Sequence, residues 1–121
     1  MRTVTLKVSS REEVNRRALR SFEGVSQGAV ISFESPALLF KLLTQKRWEL
    51  LSAMQGGGAM SLREAARRAG RDVKAVHSDV HALLDAGILR KTADGRITFP
   101  YDAVHVDCLV HVAWRSVDVH P

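Results

Sequence analysis

Apolar and polar residues alternate from Thr3 to Val8, with Val4, Leu6 and Val8 on one side and Thr3, Thr5 and Lys7 on the other. A period of two predicts a strand with one buried face. Ser10 and Glu13 then stand at capping-box spacing, and Val14, Ala18, Leu19 and Phe22 recur at helical intervals, so a helix is expected to end at Gly24. Ala29 to Phe33 is a short β-prone run. Ser35-Pro36 opens another helix, since serine caps and proline at the first helical position gives up an N–H that had no partner. Leu38, Leu39, Leu42 and Leu43 form its apolar face.

Thr44 caps a helix expected from Gln45 to Gln55, with Trp48, Leu51 and Met54 pointing inward and Gly56-Gly57-Gly58 ending it. Ser61 and Glu64 form a second capping box, ahead of a short helix carrying Leu62, Ala65, Ala66 and Ala69 and closed by Gly70. Asp72 caps the next helix. In that helix Val73, Val76, Val80, Leu83 and Leu84 make one apolar stripe, and Gly87 supplies the left-handed residue that stops it. Ile88–Lys91 and Arg96–Phe99 are strand-like and are joined through Ala93-Asp94-Gly95, a hairpin signal. Val104 to Val112 alternates again and is expected to be a strand, with Cys108 inside as a small apolar side chain. The tail from Arg115 to Pro121 is expected to fray.

The expected class is α+β: a winged helix-turn-helix over residues 35–113, with an N-terminal strand-helix-strand (1–34), a C-terminal strand and a short tail (114–121). A short helix, a tight glycine-containing turn and a longer helix make the helix-turn-helix layout, and a hairpin directly after it makes the wing. A helix of about 10–12 Å diameter fits the major groove of B-DNA, about 12 Å wide, if its apolar stripe is held from behind.

With that stripe inside, Lys74, Ala75, His77, Ser78 and His81 face outward and are the candidates for reading base edges. Asp79 and Asp85 would repel phosphate and are placed toward protein or solvent. Lys46, Arg47, Arg63, Arg67, Arg68 and Arg71 flank this helix, and Arg90, Lys91 and Arg96 lie on the hairpin. These cations are expected to hold phosphates, which sets register without reading sequence, and the free N–H groups after Ser61 and Asp72 can do the same.

Overall charge agrees with this assignment. The chain has 121 residues, one domain's worth, and its 18 lysines and arginines outnumber 13 acidic residues. A single cysteine excludes an internal disulfide, and no apolar run approaches the ~20 residues of a membrane span. A cytoplasmic protein without a membrane partner is expected.

The segments "SPALLFKLLTQKRWELL", "SLREAARRAGRDVKAVHSDVHALLDAGILRKTADGRITFPYD" and "AVHVD" resemble the winged-helix predicted transcriptional regulators of bacteria and archaea, distant relatives of the MarR group. Genes of such proteins often neighbour small toxin-like genes. The resemblance implies a double-stranded-DNA-binding repressor, an autoregulating antitoxin with a toxin partner among its forms, whose DNA-reading helix corresponds to Asp72–Ala86.

Two rival classes remain. An enzyme is not expected, because the chain carries no nucleophile elbow and its glycine triplet lacks the Lys-Ser/Thr of a phosphate loop. His77 and His81 stand at i, i+4, a spacing that can bind zinc, but without an HExxH motif. His105, Asp107 and His111 share a strand face opposite Cys108. No metal and no cofactor are expected. A protein-binding adaptor is the second rival, since Thr3–Val8 and Val104–Val112 need partners: each other, Ala29–Phe33, or a second copy. A homodimer is expected because helix-turn-helix repressors usually read two half-sites.

Overall fold

β1 (Thr3–Val8) occupies the centre of a three-stranded sheet, between β2 (Ala29–Phe33) and β5 (Ala103–Asp107), and pairs in parallel with both. The computed structural model describes residues 2–8 and 29–110. The helix expected between Ser10 and Gly24, His111, Val112 and the tail lie outside the described residues. Val4 and Leu6 are fully buried, as the alternation requires, and Leu6 stands opposite Ile31 on one side and Val106 on the other. β1 thus finds both of its neighbours within the chain. The β5 end of the sheet is fastened by Arg2, whose N–H donates to the Asp102 carboxylate at 2.7 Å and whose carbonyl accepts from the Asp102 N–H at 2.7 Å. Arg2 also lies over the Tyr101 ring.

Four helices lie between β2 and the hairpin among the described residues: α1 (Pro36–Leu42), α2 (Gln45–Met54), α3 (Leu62–Ala69) and α4 (Val73–Ala86). The serine and threonine caps expected among the described residues form. The Ser35 hydroxyl accepts from the Leu38 N–H and the Thr44 hydroxyl from the Arg47 N–H, each at 3.3 Å. β3 (Arg90–Lys91) and β4 (Ile97–Thr98) make an antiparallel hairpin. Met60, just before α3, pairs with Ile97 through two backbone hydrogen bonds of 2.8 Å, which locks the hairpin to the start of α3. The fold is α+β.

One core joins these parts. Val4 and Leu6 of the sheet cluster with Leu39, Leu50, Leu51, Met54, Ala65, Val76, Val80, Leu83, Ile88, Leu89 and Phe99. Each buried leucine or valine contributes about 1.5–3 kcal/mol from removal of apolar surface from water.

Several expectations change. Trp48 is 47% exposed, because α2 turns Leu50, Leu51 and Met54 inward instead. Val73, at the first turn of α4, is exposed, as is Leu38 on α1. β5 ends at Asp107, short of the expected Val112, and Cys108 is only half-buried. The hairpin strands are shorter than expected, since Ile88, Leu89 and Phe99 turn into the core.

Candidate nucleic-acid interface

α3 and α4 are joined by Gly70, Arg71 and Asp72. Gly70 closes α3 in the left-handed region at φ 67°, with its N–H donating to carbonyls of the last turn. A side chain there would be strained by its own backbone. Two residues on, Asp72 caps α4, its carboxylate accepting from the Lys74 N–H at 3.2 Å. At the far end Gly87, φ 86°, closes α4 in the same way.

The inner face of α4 carries Val76, Asp79, Val80 and Leu83, all buried. Asp79 is the one buried charged side chain among the described residues. Arg47 of α2 donates from Nε to its Oδ1 at 3.0 Å, and Arg71 from the turn places Nη2 2.7 Å from its Oδ2. Burial alone would raise this carboxyl's pKa. The Arg47 hydrogen bond and the positive charges of Arg47 and Arg71 outweigh burial and hold it below the usual carboxylate range. Arg47 also donates from Nη1 to the carbonyls of Lys41 and Leu42, at 3.3 and 3.0 Å. One guanidinium therefore ties the end of α1 and the start of α2 to the middle of α4.

The outer face of α4 is the expected one. Lys74, Ala75, His77, Ser78 and His81 are all exposed. The Nε2 atoms of His77 and His81 lie 3.1 Å apart, in hydrogen-bond contact. Asp85 is exposed on the last turns of the same helix.

The cations divide into two sets. Arg47 and Arg71 were expected at phosphates, but the structure commits both to Asp79, with their side chains about one-fifth exposed. The others reach the surface. Lys46, Arg63, Arg67, Arg68, Arg90, Lys91 and Arg96 are exposed residues. Arg67 chelates Glu64 on α3, and Arg68 approaches the same carboxylate at 3.5 Å. The Arg67 hydrogen bond is the main cause of a lowered Glu64 pKa, with Arg68 adding to it. Glu64 is thus engaged along α3, while the Ser61 hydroxyl caps the helix by accepting from the Glu64 N–H at 3.1 Å. Arg67 remains 73% exposed. On the hairpin, Arg96 stands 3.5 Å from Asp94 and Arg90 reaches the Tyr101 hydroxyl at 3.4 Å. Asp94 is held below the ordinary range, chiefly by the Thr92 hydroxyl.

Sequence reasoning missed the Arg47–Asp79–Arg71 cluster, although a signal for it was present. Arg47 sits at i−3, i−4 and i−7 from Leu50, Leu51 and Met54, and Asp79 between Val76, Val80 and Leu83. Each charge occupies a core position in an otherwise apolar helical stripe. Two opposite charges in such positions point to each other.

Candidate metal ligands elsewhere do not assemble. His105 and Asp107 are exposed on β5, and Asp107 lies 3.9 Å from Lys7 across the strand pair. Among the described residues no group of three or more His, Cys, Asp or Glu is placed to hold a metal ion, and no helix is long and apolar enough to cross a membrane.

These features define a small α+β protein built around a capped helix pair with an exposed polar face on its second helix. The chain belongs to the HVO_A0114 family, whose model matches residues 42–106, from the end of α1 into β5. The match contains the helix pair, the hairpin and the Arg47–Asp79–Arg71 cluster. No curated protein matches the chain.

Proposed function

We propose that the chain is a winged helix-turn-helix regulator that binds double-stranded DNA, with α4 entering the major groove and the β3–β4 hairpin serving as the wing. The observation that carries this reading is the contrast between the two sides of α4. Its inner side is fixed by core packing and two arginines on Asp79, while Lys74, Ala75, His77, Ser78 and His81 remain exposed on the outer side. A rigidly backed helix with a polar outer face near its N-terminus suits base reading.

In this reading Lys74, His77 and Ser78 meet base edges, Ala75 leaves room for a thymine methyl, and His81 follows one turn later. Arg63, Arg67, Arg68, Lys91 and Arg96 hold phosphates on either side. Arg47 and Arg71 act from behind, as positioning residues. The pairing of Met60 with Ile97 supports the wing, because it fixes the hairpin relative to α3. The resemblance to MarR-related regulators favours a repressor, acting as a two-fold dimer on half-sites about 34 Å apart.

The test is fluorescence anisotropy against a pool of duplexes selected by the protein, over a range of salt. Lys74→Ala with His77→Ala is expected to reduce preference for the selected site while leaving non-specific binding in place. Arg63→Ala with Arg67→Ala should weaken binding to every duplex and flatten the dependence of log K on log[salt] by about 0.9 for each phosphate the protein no longer neutralises. If the parent protein binds no duplex at low salt, or both double variants behave like the parent, the reading fails. In the first case the outer face of α4 is left to a protein partner.

A further inference from the structure

The two histidines on the outer face of α4 do more than share a surface. Their ring centroids are 4.3 Å apart, whereas their Nε2 atoms are only 3.1 Å apart, so the rings lean together at their Nε2 edges. At 3.1 Å the two Nε2 atoms border one small region on the outer side of the helix.

We propose that His77 and His81 form a two-imidazole site for a divalent transition metal, held by their two Nε2 atoms. Helical i, i+4 spacing brings the two side chains to one side, and the helix is rigid there because Val76, Asp79 and Val80 are clamped beneath. Imidazole nitrogens bind such ions at about 2.0–2.1 Å. Two of them 3.1 Å apart subtend roughly 100° at the ion. That angle lies between the square-planar and tetrahedral values, and needs no rearrangement of the helix. Both rings are exposed, so the ion can enter directly from solvent.

No third protein ligand joins them among the described residues, and solvent completes the coordination sphere. A site with only two imidazoles follows intrinsic affinity: copper(II) binds more tightly than nickel(II) or zinc(II), and magnesium does not bind. Asp85 lies one turn beyond His81 and favours the added charge, while Lys74, one turn before His77, opposes it. The proposal stands apart from the DNA reading, since it concerns the free protein.

The experiment is a titration of the full chain with copper(II), without nucleic acid, followed by the nitrogen hyperfine structure in electron paramagnetic resonance and by thermal unfolding. The expected result is one equivalent of copper with two imidazole nitrogens and a raised Tm, because an ion that binds only the folded helix stabilises it. His77→Gln and His81→Gln should each lose the two-nitrogen signal and the Tm shift, whereas His105→Gln should keep both. The substitutions are on exposed positions, and circular dichroism confirms that each variant is folded. A two-nitrogen signal that persists unchanged in the His77→Gln/His81→Gln double variant overturns the proposal, and so does a parent protein that binds no more copper than that double variant.

Discussion

The two faces of α4 handle charge in opposite ways. On the inner face a single carboxylate, Asp79, is buried and held by two guanidiniums from different parts of the fold. On the outer face Lys74, His77 and His81 stand in solvent, and the two histidine rings lean on each other. Buried charge has been removed from water and must be compensated, so it constrains geometry. Exposed charge constrains little in the fold and remains available to a ligand. The same helix thus holds a buried structural set and an exposed set on opposite sides, and the contrast can be tested by breaking each side in turn.

The largest effect is expected from Asp79→Ala, which leaves Arg47 and Arg71 facing each other without an anion. Loss of one partner from a buried ion pair costs about 3–5 kcal/mol. Urea unfolding followed by circular dichroism should show it as a lower midpoint at unchanged slope. The triple change Arg47→Met, Asp79→Leu and Arg71→Met should recover much of that loss, since apolar replacement of a whole buried cluster is often neutral. Full recovery is not expected, because the carbonyls of Lys41 and Leu42 also lose the Arg47 donor.

Acid provides a milder version of the same test. The Asp79 carboxyl has a folded pKa below its unfolded value of about 3.9. Its contribution is therefore fully present above that value and is lost as pH falls through the folded pKa. Stability measured from pH 5 to 2 should decline in the parent protein and decline less in Asp79→Asn, which starts lower. Parallel curves would show that other carboxylates dominate the acid limb.

Next comes the turn that aims α4. Gly70→Ala places a side chain at φ 67° with open space around it, so the penalty is purely conformational, about 1–2 kcal/mol. A Tm unchanged by this substitution would mean that the turn adjusts without strain.

The smallest effects on stability belong to the outer face. Lys74→Ala and His77→Ala should each change the unfolding free energy by no more than about 0.5 kcal/mol, as exposed positions do. A loss of about 2 kcal/mol at Lys74 would place it with the structural set.

Much of this architecture was legible in the chain. Ser35, Thr44, Ser61 and Asp72 cap helices where their side chains suggested, and Gly70 and Gly87 end helices in the left-handed region. These signals are local, since a cap or a stop is decided by a few neighbouring residues. The exposed row on α4 was legible for a related reason: an apolar stripe along one side leaves the polar residues on the other. Trp48 and Val73 went the other way. A helical stripe has a width, and residues at its margin are assigned only when the neighbouring helix is in place.

Among the described residues, the kinds of element, their order and the bare side of α4 are written in the chain alone, because periodicity and capping act over one or two turns. The parallel pairing of β1 with both β2 and β5, strands from opposite ends of the chain, exists only once the whole molecule is assembled. So does the division between the arginines that hold Asp79 and those that face solvent. A strand pattern states which face is apolar and not which backbone lies beside it, and an arginine carries the same charge wherever it goes. Its role is set by whether a carboxylate, distant in sequence, is buried within its reach.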